Sequence, residues 1–225
     1  MDGYLNLVLA CVAFVGTHFL MSHPMRKEMV RIFRPTGFTL VYSVVSLLTF
    51  GWMAFAFVHA PKDATFWPAL DSVWIAASVL TLLASILFVG SLVRNPSFPM
   101  ASEKLAAQKP FGVFRMTRHP MMWSFALWGI AHIIVTPRPD NFIFSGAIIF
   151  MALVGAKAQE IKKAKLVGVE WDAWLRQTRF VLSVAPIAAI GFTPWLLGIA
   201  LWIAASWAHQ YFGGFAAGVF RWLVV

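Results

Sequence analysis

The sequence is poor in charged residues and in cysteine. Only 12% of its 225 residues are charged, and only nine are Asp or Glu. A soluble domain averages about a quarter charged residues, so this chain cannot cover a water-facing surface of ordinary size. A soluble enzyme and a soluble nucleic-acid-binding protein are therefore excluded, despite a net charge of +9. The single cysteine, Cys11, excludes an internal disulfide, and no Lys or Arg precedes it, as a signal peptide would require.

What the sequence does contain is apolar. Hydrophobic residues make up 60%, with 11 Trp and 21 Phe, and the mean hydropathy is +0.75. A membrane-spanning helix needs about 20 residues, and six apolar runs approach that length: Tyr4–Met21, Phe38–His59, Leu70–Leu92, Met121–Val135, Phe142–Ala156 and Leu182–Trp207. The fourth and fifth runs are short, so we expect them to extend into their flanks. The pattern predicts an all-α, polytopic integral membrane bundle of about six transmembrane helices, in a single domain over residues 1–225.

The basic residues predict how the chain is oriented in the membrane. Fifteen of the 18 Lys and Arg residues fall in segments 22–37, 93–120 and 157–181, and the other three are Lys62, Arg138 and Arg221. Cytoplasmic loops collect Lys and Arg, so the three rich segments are predicted to be cytoplasmic, with both termini on the opposite side. This alternation requires the fifth apolar run to span the membrane.

Segment 157–181 has a composition of its own. Its lysines cluster early, and Trp171 and Trp174 lie three residues apart on one helical face. Such a composition is typical of an amphipathic helix in the headgroup plane of the inner leaflet. We predict an interfacial amphipathic helix here, with a solvated basic loop as the alternative.

The histidines are the candidate functional residues. Ionisable side chains are expensive inside a bilayer and indicate function there. His18 and His132 lie inside apolar runs, although buried histidines also form hydrogen bonds between helices. His23, His59 and His209 lie at helix ends or at an interface, where an ordinary structural role suffices. None of the nine carboxylates lies in the middle of a run, so no acid–base pair is expected within the membrane.

The stretch TRHPMMWSFALWGIAHI, residues 117–133, contains two of these histidines. Pro120 is suited to the first turn of a helix that begins near His119. Thirteen residues at about 1.5 Å each would place His119 and His132 ~20 Å apart and on largely opposite faces. We therefore predict that His119 faces the cytoplasmic headgroups with Arg115 and Arg118, while His132 is buried, so the two cannot share a metal ion.

Three segments carry a resemblance to a known family: GTHFLMSHPMR at 16–26, FRMTRHPMMWSFALWGIAHII at 114–134 and VGVEWDAWLRQTRFVLSVAPIAA at 167–189. Together they resemble the NnrU family of bacterial inner-membrane proteins, named for an association with nitrite and nitric oxide reduction. A plant relative, 15-cis-zeta-carotene isomerase, is a haem b enzyme. The resemblance implies an inner (plasma) membrane protein with periplasmic termini, a haem b cofactor, and isomerase chemistry on an apolar polyene or lipid. Its partners would be the lipid bilayer and that apolar molecule.

The same resemblance assigns residues. The isomerase's axial haem ligands would fall on His18 and His132, and its additional required histidine on His119, which with Arg118 gives the predicted catalytic pair. A cysteine that the plant enzyme places three residues before the second ligand is Gly129 here, which argues against ligand exchange at that position. His18 lies about one turn from the inner surface while His132 lies about 20 Å from it, so a bent or displaced helix is needed to bring them together. Otherwise His18 would pair with His119, and His132 with His59 or His209.

Two other functions remain open at this point. An RHP motif that opens a helix, followed by Glu160 and Gly168, also resembles the isoprenylcysteine carboxyl methyltransferase and phospholipid methyltransferase superfamily. That resemblance implies an S-adenosylmethionine pocket at the cytosolic leaflet, formed by Arg118, His119 and Glu160. A non-enzymatic haem-binding accessory or sensor protein in nitrogen-oxide respiration is the third hypothesis.

Overall fold

The computed structural model describes residues 2–98, 101 and 103–223, and these contain helices but no strand. The prediction of an all-α protein is thereby confirmed. The α-helices are α1 (Asp2–Ser22), α2 (Arg26–His59), α3 (Asp71–Gly90), α4 (Glu103–Ala106), α5 (Pro120–Val135), α6 (Pro139–Val167), α7 (Val169–Gln177), α8 (Phe192–Phe212) and α9 (Phe220–Leu223).

Four helices are long and apolar enough to cross a membrane: α1, α2, α3 and α6. The apolar α5 has 16 residues, which is about 24 Å of helix against a hydrocarbon core of about 30 Å. The fifth apolar run does extend into its flanks, because α6 continues to Val167. A membrane-embedded helical protein is supported, and a total of six spans stays a prediction.

Two helix boundaries differ from those that the hydrophobic runs predict. Most of the basic segment 22–37 is helical, since α2 begins at Arg26, and the helix is interrupted at Arg34, before Pro35. The ring of a proline disfavours helical backbone at the preceding residue. The last apolar run becomes helical only at Phe192, because Pro186 lacks an amide hydrogen and Gly191 has a φ of +89°.

Close helix packing organises the bundle around α3 and α5. Helix α3 packs against both α5 and α8, α5 packs against α6, and α1 packs against α2 and α6. At Gly198 of α8, a Cβ would lie 2.7 Å from the Cα of Ile86, so only glycine permits this approach of α3 and α8. Gly129 of α5 is similar, because a Cβ there would lie 2.8 Å from Ile149 Cγ1 of α6. Small residues at such contacts are typical of membrane helices.

Two sets of ion pairs lie at opposite ends of α6. Near its start, Asp140 pairs with Lys62 and Arg138, and farther along the same helix Glu160 pairs with Arg118 and Lys157. The first set contains residues that the charge pattern assigns outside, and the second contains residues that it assigns inside. Helix α6 therefore runs from one end of the bundle to the other, as the alternation requires. That the Glu160 end faces the cytoplasm remains a prediction from the basic residues.

The predicted interfacial helix over 157–181 is wrong in its form. Its first part is the last three turns of α6, and only Val169–Gln177 forms the separate helix α7. Gly168, with a φ of +71°, separates the two because its backbone conformation is unfavourable for other residues. Trp171 and Trp174 do lie on one face of α7, but they are fully buried in the protein, where Trp174 packs against Phe114. Their aromatic surface is used in the core and not at the lipid headgroups.

Candidate functional site

A buried ion-pair network lies just before α5. The carboxylate of Glu160 accepts a hydrogen bond from the guanidinium of Arg118. His119 Nε2 lies 3.2 Å from Glu160 Oε1, and Lys157 Nζ lies 2.8 Å from Oε2. Glu160 is 4% exposed. A buried carboxylate is stable only when it is paired and hydrogen-bonded, and three cationic or imidazole partners satisfy both requirements.

The same residues attach the segment after α7 to the start of α5. Arg118 donates from its backbone to the Arg179 carbonyl at 2.9 Å and from its side chain to the Thr178 carbonyl at 2.8 Å. The Thr117 hydroxyl donates to the Phe180 carbonyl at 2.7 Å. The TRHP motif therefore joins α5, α6 and the chain beyond α7 into one unit.

The sequence predicted that His119 faces the headgroups, but this prediction is wrong: His119 is buried inside the protein, with 2% of its surface exposed. It is the N-cap residue of α5 and precedes Pro120 at the first helical position, so the predicted start of the helix is confirmed. Burial lowers the pKa of His119, and the adjacent Glu160 only partly opposes this. The imidazole is consequently neutral near pH 7, and its Nδ1 is buried without a hydrogen-bond partner among the described residues.

His132 lies elsewhere, in the wall of a cavity of about 290 Å³ between α3, α5 and α8. Its Nδ1 is 2.7 Å from the Trp128 carbonyl one turn earlier. The Asn141 side chain donates to the His132 carbonyl at 2.7 Å and to the Thr136 carbonyl at 2.8 Å. Because Nδ1 donates its hydrogen to a backbone oxygen, Nε2 keeps a lone pair, which is how a metal-binding histidine is usually oriented.

His209 of α8 lies across this cavity from His132. The two ring centroids are 6.0 Å apart and the ring planes are inclined by 36°. His209 is oriented in the same way, with Nδ1 2.8 Å from the Ala205 carbonyl. Two imidazole nitrogens that each bind one metal at about 2.0 Å place their ring centroids roughly 6 Å apart. The centroid separation is therefore compatible with two ligands of a single metal ion.

His18, the other predicted ligand, lines a different cavity of about 810 Å³ between α1, α2, α5 and α6. It is 9% exposed, and its Nδ1 is 2.7 Å from the Phe14 carbonyl. The cavity walls are mainly aromatic and aliphatic, with Phe50 and Phe144 among them. The two cavities share the side chains of Phe125 and Trp128, so His18 and His132 lie on opposite sides of a two-residue aromatic wall.

The structure thus brings together some of the predicted site residues and separates others. Arg118, His119 and Glu160 are in contact, but none of them lines either of the two cavities. His132 lies beside His209 and not beside His18 or His119. His209 is one of the two alternative partners that the sequence left open for His132, and its ring centroid is 6.0 Å from that of His132; that the two bind one cofactor stays a prediction. The sequence indicates that these two histidines lie at a similar depth, because the charge alternation places the ends of α5 and α8 that contain them on the same side of the membrane.

The chemistry of the His132 cavity fits haem better than it fits an isolated metal ion. Among the described residues, no group of three or more His, Cys, Asp or Glu surrounds a metal position. Two imidazoles suffice for haem, because the porphyrin supplies the other four nitrogens. A porphyrin is larger than 290 Å³, so the cavity would have to widen to hold one, and α5 and α8 pack against α3 more than against each other. Gly129 faces α6 instead of this cavity, so no ligand is expected from that position.

Comparison with known proteins identifies one relationship. The model of a family described as NnrU protein matches residues 6–217. No curated protein and no solved structure matches the chain.

Proposed function

This chain belongs to the NnrU family, and we propose that it is a haem b-binding membrane protein in which His132 is an iron ligand. The observation that carries the proposal is the pair formed by His132 and His209. Their ring centroids are 6.0 Å apart, and both Nδ1 atoms are bound to backbone carbonyls, which leaves the Nε2 lone pair of each ring free to bind a metal.

The residues around the pair would orient the cofactor. Asn141 holds the backbone of His132, and the Trp128 ring packs against its imidazole with centroids 4.0 Å apart. The remaining cavity wall is predominantly aromatic and aliphatic, which would exclude water from a bound metal and suits an apolar substrate. When bound, haem would withdraw electron density from a conjugated double bond and lower its rotational barrier without net oxidation. We accordingly propose cis–trans isomerase chemistry on an apolar polyene or lipid, within the inner membrane and with both termini periplasmic.

An absorption spectrum of the protein expressed with sufficient haem tests cofactor binding. We expect a Soret band in the wild type and its loss or displacement in His132→Ala. A wild-type protein without pigment would contradict the proposal. His18→Ala distinguishes the two ligand pairs, because an unchanged spectrum in that variant supports His132 with His209, whereas loss of pigment supports the pair predicted from the resemblance. Coordination by His18 and His132 together requires the Trp128 side chain to leave the wall between the two cavities.

Product analysis with a cis-polyene under reducing conditions tests the enzymatic role. Turnover that is lost in His132→Ala supports isomerase chemistry. Bound haem without turnover would instead favour a non-enzymatic function in nitrogen-oxide metabolism. The methyltransferase alternative receives no support from the contacts of its site, because the Glu160 carboxylate is already paired with Arg118, His119 and Lys157.

A further inference from the structure

The larger cavity has polar groups at one end and an apolar interior. Lys162, His23 and Ser46 line it together with Phe14, Phe144 and Ile148. Lys162 lies only two residues after Glu160, so this polar end is the end of α6 that contains the buried ion-pair network. A volume of about 810 Å³ is within the range of roughly 300–1,000 Å³ that holds small-molecule ligands.

The charge at the polar end is positive, and no carboxylate among the described side chains is paired with it. Lys162 forms no ion pair or hydrogen bond among the described side chains, and the two charged residues that act on it, Arg26 and Lys163, are both positive. Arg26 contacts the Phe38 ring at 5.6 Å and has no carboxylate partner in the described part of the chain. Cations gathered in this way, without a carboxylate partner among the described side chains, are complementary to an anion.

Two polar atoms in the same cavity wall also lack partners. His23 Nε2 and Ser46 Oγ are buried and form no hydrogen bond among the described residues. Buried polar atoms without partners are uncommon, because each costs free energy unless a water or a ligand satisfies it. Both residues line the same cavity as Lys162, so they indicate a ligand that carries hydrogen-bonding atoms.

We propose that the larger cavity binds a lipid with a phosphate headgroup. The phosphate lies against Lys162 and the unpartnered His23 Nε2, with Arg26 adding positive charge nearby, and the acyl chains lie along Phe14, Phe144 and Ile148. The chain ends then reach Phe125 and Trp128, which form the wall shared with the His132 cavity. This site is independent of haem, so it can be tested on protein purified without the cofactor.

The test is a titration of the full-length protein in non-ionic detergent with dioctanoyl phosphatidylglycerol. Native mass spectrometry counts the bound lipids, and thermophoresis gives the affinity. We expect one lipid per chain, and affinity about fivefold weaker or more in Lys162→Gln, since each basic residue near an anionic lipid contributes on that order. Arg26→Gln should act in the same direction. Lys165→Gln is the matched control, because Lys165 lies on the same helix but is exposed and outside the cavity.

A third variant tests the apolar part of the site. Gly155 lines the cavity, and a Cβ there would meet only the Met151 side chain, at 3.8 Å. Gly155→Leu should therefore occupy the chain-binding space and abolish binding, while Gly146→Leu, outside the cavity, should not. Retained thermal unfolding in each variant shows that loss of binding does not result from misfolding.

Three outcomes would overturn the proposal. Equal binding of phosphatidylglycerol and phosphatidylcholine, unaffected by Lys162→Gln, would show that no anion site exists. Octanoate that binds as tightly as phosphatidylglycerol would assign a carboxylate in place of a phosphate. Displacement of the lipid on haem loading, with loss of pigment in Lys162→Gln, would assign this cavity to haem.

Discussion

Arg118 and Glu160 form an ion pair although 42 residues separate them in the chain. Arg118 directly precedes the N-cap of α5, and Glu160 lies near the end of α6 that is opposite to Asp140. The pair therefore fixes the Glu160 end of α6 against the start of α5, and it is largely excluded from solvent.

Removal of one partner from this pair should destabilise the protein strongly. Arg118→Ala leaves a buried carboxylate with fewer partners, for which we expect a loss of about 3–5 kcal/mol in the free energy of unfolding. Arg31→Ala, whose pair with Glu28 is exposed, should cost about 0–1 kcal/mol. Thermal unfolding can be followed with a thiol-reactive dye, because Cys11 is the single cysteine and is buried. Equal shifts in the two variants would refute the structural role of Arg118.

Stability should fall in mild acid because of His119. Burial lowers the pKa of His119 in the folded protein, while the unfolded chain takes up its proton at the ordinary value of about 6.5. Below about pH 6.5 the unfolded state binds more protons than the folded state. The contribution of His119 to the free energy of unfolding is therefore complete above that pH and decreases as the pH falls below it. His119→Gln should reduce the slope of unfolding temperature against pH between 7 and 5. A slope identical to that of the wild type would show that His119 does not titrate in this way.

Loss of His209 should change the haem spectrum without abolishing binding. His209→Ala removes one of two proposed axial ligands, so we expect a shift from a six-coordinate, low-spin spectrum to a five-coordinate, high-spin one. His59→Ala is the control, because His59 has the same Nδ1 contact, at 2.8 Å from the Phe55 carbonyl, but lies outside the cavity. Low-spin haem retained in His209→Ala would exclude His209 as a ligand.

A methyl group at Gly198 should separate α3 from α8. Its Cβ would lie 2.7 Å from the backbone of Ile86, which cannot move as a flexible side chain can. We expect Gly198→Ala to destabilise the protein by about 1–3 kcal/mol and to weaken haem binding, because α8 contains His209. Gly51→Ala, where a Cβ meets nothing within 4 Å, is the control for the substitution itself. Similar unfolding temperatures for the two variants would show that α8 can move away without loss.

Some features of the site follow from local sequence. Pro120 predicts the start of α5 after His119, and the charge pattern predicts that Asp140 and Glu160 lie at opposite ends of α6. Both depend on neighbouring residues or on the alternation of loops, which are visible in a single sequence. The RHP motif and Glu160 are grouped in one predicted pocket, and Arg118 and His119 do contact Glu160. The motif did not predict that the Glu160 carboxylate would be fully paired.

The sequence by itself determined that this is a helical membrane protein of the NnrU family, because apolar length, charge alternation and motif spacing are properties of the linear chain. Only the tertiary structure decided that Trp171 and Trp174 are buried in the core, and that His132 lies beside His209 with Trp128 between it and the His18 cavity. A helical period shows which residues share a face, but it does not show whether that face meets lipid or another helix. Glycine contacts such as Gly198 against Ile86 decide which helices approach, and thereby which distant histidines come together.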